Sequence, residues 1–391
     1  MPGDALGERY LTLALRLGKL EPELIDSYAG PAALATRVEA EPPPTPGDLL
    51  TEIRTLRDLV AEEDDAARRR WIDAQLLALG VAVRSLDGEP FGYAELVERC
   101  HGVRPMPADE SVFAEAHRRL EDALPGDGSL KERYAAWLST QFVPSDRLAD
   151  AIDALASELR ARTRELVGLP DDEHAEFELV TGERWSGYAR YVGELWSEIF
   201  LNTELPIPAY RLLELVAHEV YPGHHTDHVW KELELARKRG YLEVDVYLYP
   251  TPQGLVAEGL ASLALEILLG ADGERVGAEC LRPLGVDYDA DVSAAVRAAQ
   301  EMLLPVRANA ALLADEQSLS REDAWAYVRR WMIEPDEWVD RAVGAVFEHA
   351  WRPYASCYPE GLKLCRRFVN GDPSAFKRLL SEQLTTEDLV R

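Results

Sequence analysis

His218-Glu219-Val220-Tyr221-Pro222-Gly223-His224-His225 is the stretch on which the reading of the whole chain turns. Eight histidines occur in 391 residues, and four of them (His218, His224, His225, His228) lie between positions 218 and 228. His-Glu opens the H-E-x-x-H pattern, in which two histidines on one helix face bind zinc and the glutamate acts as general base. Here the second histidine does not come at its usual place, because position 222 is proline.

Helix geometry states the difficulty. Residues four apart lie ~6 Å along the axis and ~40° apart in azimuth, so two histidines converge. At six residues His224 falls ~9 Å along and ~120° off the face, and at seven His225 returns to the face ~10.5 Å along. Neither suits a regular helix. Pro222 lacks an N–H and presses on the carbonyl of His218, and Gly223 accepts conformations other residues avoid. The spacing therefore predicts a break that swings a second histidine, His224 or His225, towards the first. The plain alternative is a solvated histidine patch beside a turn.

Further along, Gly254-Leu255-Val256-Ala257-Glu258-Gly259-Leu260-Ala261-Ser262-Leu263-Ala264-Leu265-Glu266-Ile267 is almost wholly apolar, which predicts a buried helix with Glu258 at its middle. A buried carboxylate is costly unless it is paired or coordinates a metal. An arginine partner is one solution. With two histidines lacking a third ligand, zinc is the better one, since two His plus a Glu from a later helix is a catalytic zinc pattern.

The formal net charge of −28 argues against nucleic acid and anionic membrane surfaces as partners and favours a soluble protein with cationic, neutral or small partners. Cys100, Cys280, Cys357 and Cys365 are scattered without a C-x-x-C pair, as reduced thiols would be. The start of the sequence shows no basic then apolar leader, and no apolar run approaches a membrane span, so a cytoplasmic location is expected.

Residues 1–170 read as a helical layer. Helices are expected over Leu6–Leu17, a short stretch before Ala29-Gly30-Pro31, two between Gly47 and Leu86, then Phe91–Val103, Ala108–Leu124, Ser129–Ser139 and Ser145–Leu166. The proline-rich run Glu41–Pro46 is a stiff connector. After Gly168-Leu169-Pro170 the pattern changes. Glu176–Val180, Trp185–Tyr191 and Leu195–Asn202 predict two or three strands, and Leu205-Pro206-Ile207-Pro208 leads into the His218 helix. Residues 171–391 thus read as the catalytic region, continuous with the layer. The fold expected is mainly α, with a small mixed sheet beside the metal-binding helix. Ser197–Thr203 is expected to be an edge strand along the cleft, with Asn202 and Thr203 pairing with an extended substrate.

The His-Glu-x-Tyr-Pro-Gly-His-His run and the later Glu258-Gly259-x-Ala261-x-x-x-x-Glu266 run resemble the bacterial family catalogued as domain of unknown function 885, grouped with the gluzincin metallopeptidases. The resemblance covers most of residues 175–390. It implies a zincin-like fold and zinc-dependent hydrolysis of short peptides, with His218, His224 and Glu258 as ligands, Glu219 as base and His225 as a neighbour. Tyr358 and Gly361 are similar to the family's late Tyr-x-x-Gly element, which makes Tyr358 the expected oxyanion donor and Tyr354 and Arg352 its rivals. Asn202, Thr203, His225 and Arg352 form the expected substrate-binding set. A zinc hydrolase of non-peptide amides and a silent metal-binding protein are the competing readings.

Overall fold

The computed structural model describes residues 4–286, 288–347 and 352–390. Helix accounts for 69% of the chain, so the strands are a minor component. The expected N-terminal helices are present as Ala5–Leu20, Pro46–Val60, Ala66–Leu86, Tyr93–His101, Glu110–Ala123, Leu130–Ser139 and Leu148–Leu166. Local chemistry fixes their starts. Thr45 and Ser129 each form a capping box with the residue three further on, Asp48 and Glu132, satisfying N–H groups the first turn leaves free. Pro46 occupies the first turn, where its missing N–H costs nothing.

One element differs from expectation in kind. The stretch before Ala29 is not a short helix but a single 3₁₀ turn, Pro22–Leu24, followed by strand β1 (Ile25–Tyr28). Its partner lies far away in sequence: β1 pairs antiparallel with β5 (Val246–Leu248). Between them in sequence come β2 (His174–Val180), β3 (Gly187–Gly193) and β4 (Trp196–Asn202), which form a mixed sheet in the order β2-β4-β3. β2 runs parallel to β4 and β3 antiparallel to it. β4 is therefore the central strand. The edge-strand role expected for Ser197–Thr203 is wrong, because both sides of β4 are already paired.

Along β4 the buried residues Ser197, Ile199 and Leu201 alternate with more open ones, so one sheet face is buried. That face joins Leu212, Leu213, Val216 and Ala217 of the helix Ala209–Glu219, Leu155 and Leu159 of Leu148–Leu166, and Ala264 of the helix Pro252–Leu269 in one core. Pro252–Leu269 is apolar enough to cross a membrane, yet most of its length is inside the protein. The N-terminal helices do not form a core apart. Val246 and Leu248 pack among Tyr10, Leu13, Ile72 and Leu76, and Phe113 and Tyr134 pack with Val296, Val306 and Trp331. The change of pattern near residue 170 marks a change of element type, not a boundary between cores.

Candidate metal centre

The expected break is present. The first helix ends at Glu219, a second runs from His224 to Lys231, and Val220–Gly223 turns the chain between them. The Tyr221–Pro222 peptide is cis. The Gly223 N–H donates to the carbonyl of Ala217 at 3.0 Å. A Cβ on Gly223 would lie 1.7 Å from the carbonyl oxygen of His218, so only glycine fits the turn. Its result is that His224, six residues from His218, faces it edge-on with ring centroids 4.8 Å apart and the two Nε2 atoms 3.2 Å apart.

Glu258 completes the group. Thr251 caps its helix through the Gly254 N–H and Pro252 fills the first turn. Glu258 Oε2 lies 3.5 Å from His218 Nε2, and Oε1 lies 4.0 Å from His224 Nε2. The three donor atoms all fall within 4.8 Å of one another. Among the described residues Glu258 Oε2 is buried with no hydrogen-bond partner, which is costly unless a cation meets it. Two imidazole nitrogens facing a partnerless carboxylate oxygen are a donor set that fits a metal ion.

The electrostatics agree. Burial pushes Glu258 up, but His218 and His224 outweigh it and hold the carboxyl at about 2. Burial would lower His218, but Glu258 and Glu219 outweigh that and raise it to about 9. His224 is lowered to about 4 by burial and by the charge on His218. Glu219 follows His218 on the same helix and is only 6% exposed. Burial raises its carboxyl to about 7, with His218 opposing and Glu258 reinforcing. It faces strand β3, where a Cβ added to Gly187 would lie 2.7 Å from Glu219 Oε1.

Two tyrosines close the opposite wall. The helix Cys357–Val369 lies against Pro252–Leu269, and a Cβ on Gly259 would lie 2.3 Å from the Gly361 carbonyl, so the glycine pair lets the two backbones touch. The Tyr354 hydroxyl donates to Glu258 Oε1 at 2.5 Å. The Tyr358 hydroxyl lies 3.1 Å from that of Tyr354, and its ring centroid is 6.1 Å from that of His218. Burial, then the charge on Glu258, raises both phenols well above their ordinary value, so both are neutral donors.

The remaining expected residues lie elsewhere. His225 is fully buried; its Nδ1 pairs with Ser197 Oγ at 2.7 Å and its Nε2 with Glu173 Oε2 at 3.0 Å. Arg160 and Tyr221 also bind Glu173, at 2.6 and 2.9 Å. His225 is a structural tie between sheet and helix, and its substrate-binding role is withdrawn. The Asn202 amide donates to the Glu183 and Trp185 carbonyls at 2.8 and 3.0 Å. The Thr203 N–H donates to Val180 at 2.8 Å. Both residues hold the turns of the sheet and are spent before any substrate arrives. Arg352 pairs with Asp315 at 2.8 Å, and Asp315 in turn accepts the Tyr93 N–H at 2.9 Å, so this arginine clamps two helices. Sequence reasoning missed Glu173 and Gly187, whose neighbours in sequence carry no motif.

No family model matches the chain, and no curated protein matches it. Among solved structures, the chain is similar to a protein of Colwellia psychrerythraea provisionally named a lipoprotein, with 15% identity and a TM-score of 0.54. The match covers 88% of this chain and 65% of that one. At that identity the likeness concerns the fold, a helical architecture that other proteins share.

Proposed function

We propose that this chain is a zinc-dependent peptidase of the kind its motifs resemble, acting on short peptides. The observation that carries the reading is that His218, His224 and Glu258 converge beside Glu219, a buried carboxylate on the helix of the first ligand. A purely structural metal site needs no such base. His218, His224 and Glu258 would hold the ion. Zinc held there would polarise the scissile carbonyl and lower the pKa of a nucleophilic water.

The protein's own groups do the rest. Glu219 accepts a proton from the attacking water and returns it to the leaving amine. Tyr358, whose hydroxyl donates to Tyr354 in the free protein, would turn its neutral phenol towards the oxyanion as charge develops. Tyr354 holds Glu258 in place through its other oxygen. The sheet edge beside Glu219 is β3, at Gly187, so β3 takes the peptide-pairing role first expected of β4.

The test is a panel of short peptides and N-acyl amino acids assayed with the zinc-loaded protein, with and without chelator. Chelator-sensitive peptide cleavage is expected, and Glu219→Gln should retain the metal while losing about 10²–10⁴ in rate. Cleavage of N-acyl amino acids alone would move the activity to non-peptide amides, and no turnover of any probe would contradict the reading.

A further inference from the structure

In this acid-rich chain most arginines have an acidic partner, but one beside the metal centre does not. Arg307 lies in the first turn of the helix Val306–Glu316 and is half-buried. Among the described residues it is the one partly buried arginine that makes neither an ion pair nor a hydrogen bond. Helix stability does not account for it, since a positive charge in a first turn opposes the helix dipole. What Arg307 does touch is the wall of the site. Its guanidinium carbon stands 5.6 Å from the centre of the Tyr358 ring, and that ring stands 6.1 Å from the ring of His218. One aromatic ring therefore separates the guanidinium from the first metal ligand.

The groups along this line reach solvent. The side chains of His218, His224 and Glu258 are 15, 17 and 13% exposed, and Tyr358 is only partly buried. The charges of Arg307, Glu258 and Glu219 all act on the Tyr358 hydroxyl, so the cation and the two site carboxylates share one neighbourhood. The arginine first expected to bind substrate, Arg352, is spent on Asp315. Arg307 keeps all five N–H donors, set in the planar fork that meets a carboxylate with two parallel hydrogen bonds. It is thus a single positive charge, partly desolvated and unspent, on the rim of the candidate metal centre.

We propose that Arg307 receives the C-terminal carboxylate of the substrate, so that the enzyme shortens peptides from that end. The inference rests on the peptidase reading and narrows it to a substrate class. Consecutive Cα atoms lie about 3.8 Å apart, so one or two residues past the scissile bond reach across the Tyr358 ring. A terminal carboxylate is favoured over an acidic side chain because the backbone alone sets its distance from the scissile carbonyl, whereas a side chain brings extra rotors to immobilise. Water gives its hydroxyl to the acyl carbon and a proton to the released amine as the C–N bond breaks, so no other reactant is needed. Arg307 is then a specificity residue, not a catalytic one.

The experiment compares N-acetyl-Ala-Ala-Ala, its C-terminal amide, and N-acetyl-Ala-Ala-Asp amide, whose carboxylate is on a side chain, on the zinc-loaded full chain. It reads steady-state cleavage by the wild type and calorimetric binding to the Glu219→Gln protein. The free acid is expected to be preferred over its amide by about 10²-fold in kcat/KM and in binding, mostly through KM. Arg307→Gln should bring the free acid down to about the level of the amide without changing metal content, and Arg307→Lys should restore part of the preference. Equal cleavage and binding of acid and amide with Arg307 in place overturns the proposal while leaving the peptidase reading intact. So does a preference that survives Arg307→Gln, or full activity on the Asp amide. An equal loss on acid and amide in Arg307→Gln also overturns it, and makes Arg307 a support for Tyr358 instead. If nothing is cleaved but the free acid still binds preferentially through Arg307, the peptidase reading fails and the carboxylate site stands. No binding by any of the three overturns the carboxylate site.

Discussion

Tyr354 and Tyr358 stand four residues apart on consecutive elements, and their hydroxyls touch, yet their proposed tasks differ. Tyr354 spends its proton on Glu258 Oε1, so Tyr354→Phe should loosen the third ligand and weaken zinc affinity by about 10–100-fold, measured by competition with a chromophoric chelator. Tyr358→Phe should keep zinc affinity and KM and lower kcat by about 10²–10³. The reverse outcome would exchange the two roles. His218, His224 and Glu258 were legible in the sequence because each is out of place there: histidines crowd where few occur, and a carboxylate sits in an apolar helix. The fate of His225 was not legible. One residue past His224 is a turn of about 100° on a helix, and what it meets there is Glu173, 52 residues earlier in the chain. Asn202, Thr203 and Arg352 were misjudged for the same reason, since residue type names a capacity and only packing decides whether it is already used.

The break at Val220–Gly223 was readable from Pro222 and Gly223 because backbone chemistry acts over a few residues. Its stringency is testable. Gly223→Ala puts a methyl 1.7 Å from the His218 carbonyl, so the two helices must part. We expect a loss of about 3 kcal/mol or more in denaturant unfolding, at the upper end for single substitutions, together with loss of metal retention. A protein of unchanged stability that still binds metal would show that the turn has room the geometry denies. The order of the sheet was beyond local reading. Alternation along Trp196–Asn202 reports that one face is buried, but it is the same for a central and an edge strand. The helix expected before Ala29 failed similarly: four residues become a strand because Val246–Leu248 lies alongside, more than 200 residues away.

Residues from both ends of the chain meet throughout the molecule. Arg68 binds Asp4 and Glu243, and Glu243 accepts from Gln383 at 2.8 Å. His101, at the end of an N-terminal helix, is fully buried with its Nε2 3.6 Å from the Cys357 thiol. Burial lowers His101 to about 3. The folded protein therefore keeps it neutral, while the unfolded chain takes up a proton below about pH 6.5. Its contribution is intact above that pH and is lost as pH falls from about 6.5 towards 3. His101→Leu cannot take up the proton, so between pH 6.5 and 5 it should lose about 2 kcal/mol less than the wild type, read from urea midpoints. Parallel losses would contradict this. The mainly helical class and the small mixed sheet were legible from hydrophobic period alone, whereas the way early residues wall the later site was not. His218, His224 and Glu258 are proposed to hold one metal ion while His225 holds the fold. In elemental analysis of zinc-loaded, dialysed protein, about one zinc per chain is expected in the wild type and in His225→Ala and none in His224→Ala; a metal-free wild type, or a site emptied by His225→Ala and kept by His224→Ala, would refute the ligand set.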